Sequence, residues 1–458
     1  MSNLESGHRG KSWTIYLFLF LFSATLLNYA ARFVFTQNTS NIQFEFKENQ
    51  QFSSLEELRE AADADPDVSI DAHLDKSAYA DAASNFSLGF AFGALIFGTL
   101  ADVISVRLLY PLVVVVWSIA GIATGMVDTV TGLWVSRLFV GLFEAGHWPC
   151  ALRTTQRTFH PAQRTGANSI LQSGASIGAV LTPLLVLFYL HNYPTEWRHA
   201  FLIVGVCGVP WAICWLLVVR ESDITQPVIQ TDETSAGVGT DQELVEIPFW
   251  NIFTTRRWWV LLFTVICINT VWHFIRVWMV DWLENVHGYE SEFVAQFTSA
   301  YFLSTFAGAL ASGAAISWLV KKDWNVHKAR MTAFVVFACL TALIVPAAFM
   351  PKGGLLLFVL LIVAFGSLGL FPIYYSLNQE ISAKHQGKVG GSLGFATWFL
   401  LYFFHGWVGE LLEVNPDSRQ TIFCAVGLLP FVAFFVLKYC WGQRPQSPFV
   451  RVLRSMES

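Results

Sequence analysis

Apolar runs of about 20 residues, separated by polar breaks, recur twelve times along the chain: 12–34, 81–101, 108–126, 131–155, 165–190, 199–220, 258–283, 292–320, 327–350, 354–382, 388–412 and 419–440. A run of that length crosses the hydrocarbon core of a bilayer as a helix, so the pattern predicts an all-α membrane protein of twelve transmembrane helices. Two segments break the rhythm of short loops. Residues 35–80 form a polar, acidic insert, in which Ser54-Leu55-Glu56-Glu57 spells a capping box and predicts a short surface helix. Residues 221–257, with DETSAGVGTDQE at their middle, read as a linker between two six-helix bundles, 1–220 and 258–441, with a tail at 442–458.

The two bundles resemble each other. Gly93, Gly98, Asp102 and Arg107 at helix 2 recur at the same spacing as Gly308, Gly313, Ser317 and Lys322 at helix 8, and Gly146, Pro149 and Gln156 of helix 4 recur as Gly369, Pro372 and Gln379 of helix 10. Such a duplication implies pseudo-symmetric halves and a substrate site between them near mid-bilayer.

Composition agrees with a membrane chain. Of 458 residues, 54% are hydrophobic and 13% charged, against about 25% charged in soluble domains. The first run follows a basic start, as a secretory signal would, but it is a full span long and others follow, so it reads as the first helix. Most of the 28 Lys and Arg fall on the side that holds both termini, which predicts that side to be cytoplasmic. A net charge of −5 and the lack of a basic tract argue against nucleic acid. The seven cysteines form no CxxC and no Cys/His metal spacing, so neither metal, cofactor nor disulfide is expected.

Candidate chemistry lies in ionisable residues placed within apolar runs. Each costs roughly 2.5–3.5 kcal/mol at a helix centre on insertion scales, so a function is the first reading. Arg137 and Glu144 are seven residues apart, about 10 Å along a helix and on nearly one face, which lets both look into one cavity. Arg32, Arg137 and Arg276 all fall in the outer half of the bilayer by position in their runs. A guanidinium forks onto a carboxylate, which suits capture of an organic anion. The alternative is that each snorkels to headgroups or pairs with a helix carbonyl. Glu144 is the one carboxylate mid-span; it reads as a proton carrier or as half of a permanent buried ion pair. His147 reads as a relay or as a contact with a neighbouring helix.

Further polar positions at helical spacing are expected to face the cavity, as sugar-hydroxyl partners or as helix-to-helix contacts. They are Asn168, Gln172 and Ser176 in helix 5, Asn269 and His273 in helix 7, and Ser367, Tyr374 and Asn378 in helix 10. Trp272, Trp278 and Trp398 are placed either to stack on a pyranose or to sit at a membrane interface.

GTLADVISVR at 98–107 resembles the signature loop of the major facilitator superfamily, with Gly98, Asp102 and Arg107 in register and departures at Val103 and Ser105. Within it, LNYAAR at 27–32, RLFVGLFEAG at 137–146, SGASIGAVLTP at 173–183 and EWRHAFLIVGVCGVPWAICWLL at 196–217 look like the anion:cation symporter family. VWHFIRVWMVDWL at 271–283 is similar to the seventh helix of its hexuronate branch. The resemblance implies two pseudo-symmetric six-helix bundles that move a sugar acid, hexuronate or aldonate, by alternating access. A proton or sodium ion accompanies it, and the expected setting is a monomer in a bacterial inner membrane.

By the same resemblance Gly98, Asp102 and Arg107 are gating residues, Tyr29 and Arg32 contact substrate, and Glu144 is the coupling carboxylate, with Arg137 one face-repeat before it. Ala31 stands where the family has a coupling Asp, and Phe90 where a binding Tyr is common. The loss at Ala31 keeps open a facilitator or exporter of another organic anion. A membrane enzyme is disfavoured because no Walker loop, metal cluster or nucleophile-base pair is spelled out. A sensor is disfavoured because no soluble domain is present in the sequence.

Overall fold

Among the described residues, twelve helical rods lie where the apolar runs predict them. In this computed structural model the described residues are 11–47, 51–65, 68–193, 196–225, 249–382, 384–414 and 418–442. The rods are α1 (Lys11–Gln37), α2 (Lys76–Val103), α3 (Val106–Thr124), α4 (Val130–Glu144 and His147–Thr158), α5 (Pro161–Asn192) and α6 (His199–Val206 and Gly208–Val218). The second set is α7 (Arg256–Asp281), α8 (Ser291–Lys321), α9 (Val326–Ala342 and Ile344–Ala347), α10 (Gly354–Asn378), α11 (Gln386–Val414) and α12 (Ser418–Cys440). Among the described residues, ten rods are long and apolar enough to cross a membrane by length and composition. The other two are α4, which is cut in two, and α11, whose Gly, Tyr, Trp and His dilute its apolar residues. The centre of the linker, with DETSAGVGTDQE, and the tail from 443 lie outside the described residues.

Local chemistry sets the ends. The Thr129 hydroxyl accepts the Gly132 N–H at 3.0 Å to open α4, and Asn325 accepts the His327 N–H at 2.9 Å to open α9. Pro161 occupies the first turn of α5, where its missing N–H costs nothing. The expected unbroken helix over 131–155 is instead two segments meeting at Ala145–Gly146. Pro149 has no N–H to give the Ala145 carbonyl, so the ladder lapses one turn before it.

The sequence repeat has a structural counterpart in how closely helices approach. Gly93 leaves no room for a Cβ against the Leu142 carbonyl of α4, and Gly308 leaves none against the Phe365 carbonyl of α10. Gly98 is pressed on Gly387 and Gly391 of α11, and Gly313 on Gly166 and Ser169 of α5. So α2 and α8 play equivalent parts: each packs on a rod of its own half and on one of the other half.

The insert leaves the far end of α1. Its described part carries helices Thr39–Glu45 and Leu55–Ala64 and a 3-10 turn at Ile70–His73. Ile42 and Phe46 pack with Phe35, Leu133, Trp197 and Phe201, and Glu45 pairs with Arg198 at 2.5 Å, so the first helix docks on the N-terminal half. Only half of the expected capping box forms. Ser54 accepts the Glu57 N–H at 3.1 Å, but the Glu57 carboxylate takes the N–H and hydroxyl of Ser53, and these bonds hold it below the usual carboxylate range.

Candidate substrate site

A cavity of about 80 Å³ lies between the two sets of six rods. From the first half it is lined by Tyr29 and Arg32 of α1, Phe90 and Ala94 of α2, Ala145, Trp148, Pro149 and Leu152 of α4, and Gln172 of α5. From the second half come Val265, Asn269, Trp272 and His273 of α7, Phe371, Tyr374, Tyr375 and Asn378 of α10, and Gly390, Gly394, Thr397 and Trp398 of α11. The break in α4 matters here: it turns Ala145, Trp148 and Pro149 to the cavity and leaves Glu144 just behind the wall.

Arg32 is the charged group in that wall. Its Nε donates to Glu144 Oε2 at 2.8 Å, and its guanidinium lies 4.7 Å from the Phe90 ring centre, 5.1 Å from Tyr29, and 5.4 Å from both Phe86 and Trp398. Each ring contributes roughly 0.5–2 kcal/mol and stands in for water around the cation. Nη2 of Arg32 is buried without a hydrogen-bond partner. A cation fixed in a ring cage, with one donor committed and another unspent, is arranged to accept an anion. Glu144 is fully buried, with Oε1 unpartnered, and the Asn28 side chain donates to its backbone carbonyl at 3.3 Å.

Arg137 departs from the expectation. It does not line the central cavity; it borders a separate crevice of about 10 Å³ with Ala31, Trp117, Ser118 and Gly121. Its guanidinium is sandwiched 4.1 Å from the Phe35 ring and 4.6 Å from that of Phe86, and it is 4% exposed. Arg137 and Glu144 do share a face of α4, but that face meets α1 and α2 rather than the gap between halves. Arg276 is also set back. Its Nη2 lies 3.2 Å from His273 Nδ1, and His273 is the residue that reaches the cavity, its ring 5.2 Å from that of Trp398.

Of the other polar positions, Gln172 and Asn378 line the cavity but spend an oxygen on protein. Gln172 accepts from Tyr375 at 3.0 Å and Asn378 from Gln386 at 3.3 Å. Ser176 bonds Thr305 of α8 at 2.7 Å, Ser367 bonds the Ala364 carbonyl, and Asn168 bonds Gln379, so these three join structure rather than line the site. His147 is buried between Thr25 at 3.1 Å and Tyr110 at 2.8 Å, away from the cavity. Trp272 and Trp398 line it and Trp278 does not. Trp148 and Tyr375, stacked at 5.1 Å, were not singled out by the sequence, though each neighbours a residue that was.

The end of the bundle opposite the insert is bolted across the halves. Asp102 accepts the Gly387 and Lys388 N–H groups at 2.8 Å each, at the start of α11, and meets Arg153 at 3.2 Å. Arg330 of α9 donates to the Pro161 carbonyl at 2.6 Å and to Thr165 at 3.1 Å while pairing with Glu380. Arg107 does not join this clasp. It donates to the Val219 and Leu216 carbonyls at 2.8 and 3.1 Å and so caps α6 inside its own half, because the first turn of α3 faces the end of α6. Sequence reasoning missed Arg153 and Arg330. At the insert end, Phe33 of α1 meets Phe302 of α8 edge-on across the halves, with ring centres 5.5 Å apart.

The Major Facilitator Superfamily family model matches residues 13–406. Similar curated proteins include a probable sulfoacetate transporter, SauU, of Cupriavidus necator (25% identical, covering 68% of this chain and 73% of that protein). A probable L-galactonate transporter of Escherichia coli is 25% identical over 76% of this chain and 79% of its own, and a hexuronate transporter of the same species 22% identical over 85% and 90%. Among solved structures, the proton:xylose symporter XylE bound to 6-bromo-6-deoxy-D-glucose superposes with a TM-score of 0.72 at 12% identity, covering 95% of this chain and 97% of that one. The human organic anion transporter MFSD10 gives 0.66 at 14% identity, covering 92% and 98%. With twelve rods in two equivalent sets about a central cavity, this chain is a multi-pass membrane transporter, not an enzyme, and belongs to the Major Facilitator Superfamily.

Proposed function

We propose that the chain carries a small organic anion, a hexuronate or aldonate sugar acid, by alternating access, with a proton moving alongside through Glu144. The observation that carries this reading is the Arg32–Glu144 pair at the cavity wall, with Arg32 Nη2 unspent. The relatives named for L-galactonate, hexuronate and sulfoacetate support an acidic cargo.

The coupling follows from competition for one guanidinium. An arriving carboxylate engages Arg32 and weakens its hold on Glu144. An ionised carboxylate left alone at a fully buried position is costly by several kcal/mol, and taking up a proton relieves the cost. By reciprocity, a protonated Glu144 leaves Arg32 more available to the anion. Arg137 is not a substrate contact in this scheme; it adds positive potential behind the wall. Tyr29, Gln172, His273, Tyr374 and Asn378 shape the remaining surface, and the Asp102 clasp holds one side shut until the halves rock.

We assign both termini and the Asp102 end to the cytoplasm of a bacterial inner membrane, with 1–220 and 258–441 as the rocking units. The second reading, an uncoupled facilitator or exporter, is favoured by Ala31, which leaves α1 without a carboxylate. Proteoliposomes holding the purified chain decide between them. Labelled galacturonate, glucuronate or galactonate accumulates above equilibrium under an inward proton gradient and not with a protonophore. Equilibration without accumulation sinks the coupled reading.

A further inference from the structure

The charges around the cavity do not balance. Among the described residues at its level, three guanidiniums, of Arg32, Arg137 and Arg276, stand against one carboxylate, Glu144. Among the described residues Arg137 has no hydrogen-bonded or ion-paired partner, its Nε being buried and unpartnered, and its crevice of about 10 Å³ is too small for an acid group. Arg276 has His273 Nδ1 beside one nitrogen, and its Nε is buried without a partner. The site thus carries two positive charges in excess with Glu144 ionised, and three with it protonated. Buried charge of one sign is tolerated where a ligand of the other sign is to be bound.

The excess is also divided in space. Arg32 stands on the first half and the Arg276–His273 pair on the second, and both approach Trp398, whose ring is 5.4 Å from the Arg32 guanidinium and 5.2 Å from the His273 ring. Arginine only donates, so Nδ1 of His273 accepts and the ring carries its proton on Nε2. Both sides of the cavity therefore present donors of positive character.

We infer that the cargo is a dianion with an acid group at each end, one held by Arg32 and the other by the His273–Arg276 pair, such as an aldarate or a sulfocarboxylate. This rests on the proposed organic-anion reading and narrows it. A monoanion satisfies one half and leaves the other charged in either state of Glu144. A dianion ties the two halves together, which is what the occluded state requires.

Matched ligands test this on the purified full chain at one fixed pH of 7, read by thermal stabilisation, which needs no ion gradient. Galactarate and galactonate share a six-carbon hydroxylated body and differ by one carboxylate; sulfoacetate and acetate differ by one sulfonate. The dianion of at least one pair is expected to half-saturate at a concentration tenfold or more below its monoanion. Arg276→Gln should narrow that ratio to within about threefold, and Arg276→Lys should keep more of it, which separates lost charge from lost folding. Parity or monoanion preference in both pairs, with saturable binding, overturns the dianion and leaves the sugar-acid reading standing. If none of the four stabilises the protein but galacturonate or glucuronate does, the dianion falls and the sugar-acid reading stands; if these fail as well, both readings fall.

Discussion

Gln156 and Gln379, 223 positions apart at equivalent points of the two halves, each donate a side-chain amide to the backbone of the other's helix. The distances are 2.9 Å to the Gln379 carbonyl and 2.9 Å to that of Leu152. Gln156 adds the Ser382 carbonyl at 3.0 Å. Each such bond is worth about 1 kcal/mol net, so Gln156→Ala or Gln379→Ala is expected to raise the population open at this end about five- to thirty-fold. Distances between spin labels at Val103 and Lys322, on opposite halves, should lengthen in a larger fraction of molecules. An unchanged distribution would remove these glutamines from the gate.

Asp102 and Arg107 lie in one loop but act on different partners, and this separates their variants. Asp102→Asn loses the charge that the Gly387 and Lys388 amides and Arg153 share, a loss of about 1.5–3 kcal/mol for hydrogen bonds to an ion. It should open the same label pair. Arg107→Gln breaks bonds to Val219 and Leu216 within one half, so it should lower thermal stability without opening the ends. Equal opening by both variants would contradict this division.

Helix crossings at Gly93 and Gly308 are too close for any side chain. Gly93→Ala and Gly308→Ala force overpacking against a carbonyl, typically about 1–3 kcal/mol, and each should lower the melting temperature in detergent by several degrees. Gly121 has open space where a Cβ would go, and Gly121→Ala should leave it within about a degree. Melting curves of the three decide it.

Asp75, just outside the membrane, caps α2 by accepting the Ala78 N–H at 2.9 Å, and it also accepts the Ser77 hydroxyl at 2.7 Å. These bonds hold its carboxyl below the ordinary value of 3.8. The cap is therefore fully present above that value and is lost as pH falls through the lower folded value. Asp75→Asn should flatten the part of the stability profile below about pH 4, measured by melting from pH 3 to 7. A profile of unchanged slope there would show that the cap does not titrate.

The twelve rods were legible because a bilayer dictates how long an apolar helix must be, and the repeat because glycines mark crossings that tolerate nothing larger. The insert's docked helix was not legible, since Ile42, Phe44 and Phe46 alternate too briefly to stand out in a polar stretch. For the site, Arg32 and His273 line the cavity, as their positions in the apolar runs suggested, and so do Tyr29 and Phe90, to which the family resemblance pointed. Arg137 does not, since periodicity says which residues share a face but not which neighbour that face meets. Trp148 owes its place to the break that Pro149 makes, and Arg153 to a contact with residues more than 200 positions away.

The central claim is that Glu144 carries the proton while Arg32 passes between it and the cargo. Gradient-driven accumulation of labelled sugar acid by Glu144→Gln proteoliposomes, set beside exchange across the same vesicles, measures this most directly. The account predicts that accumulation falls to the equilibrium level while exchange of external for internal substrate continues. Concentration of substrate by Glu144→Gln at the wild-type level would contradict it.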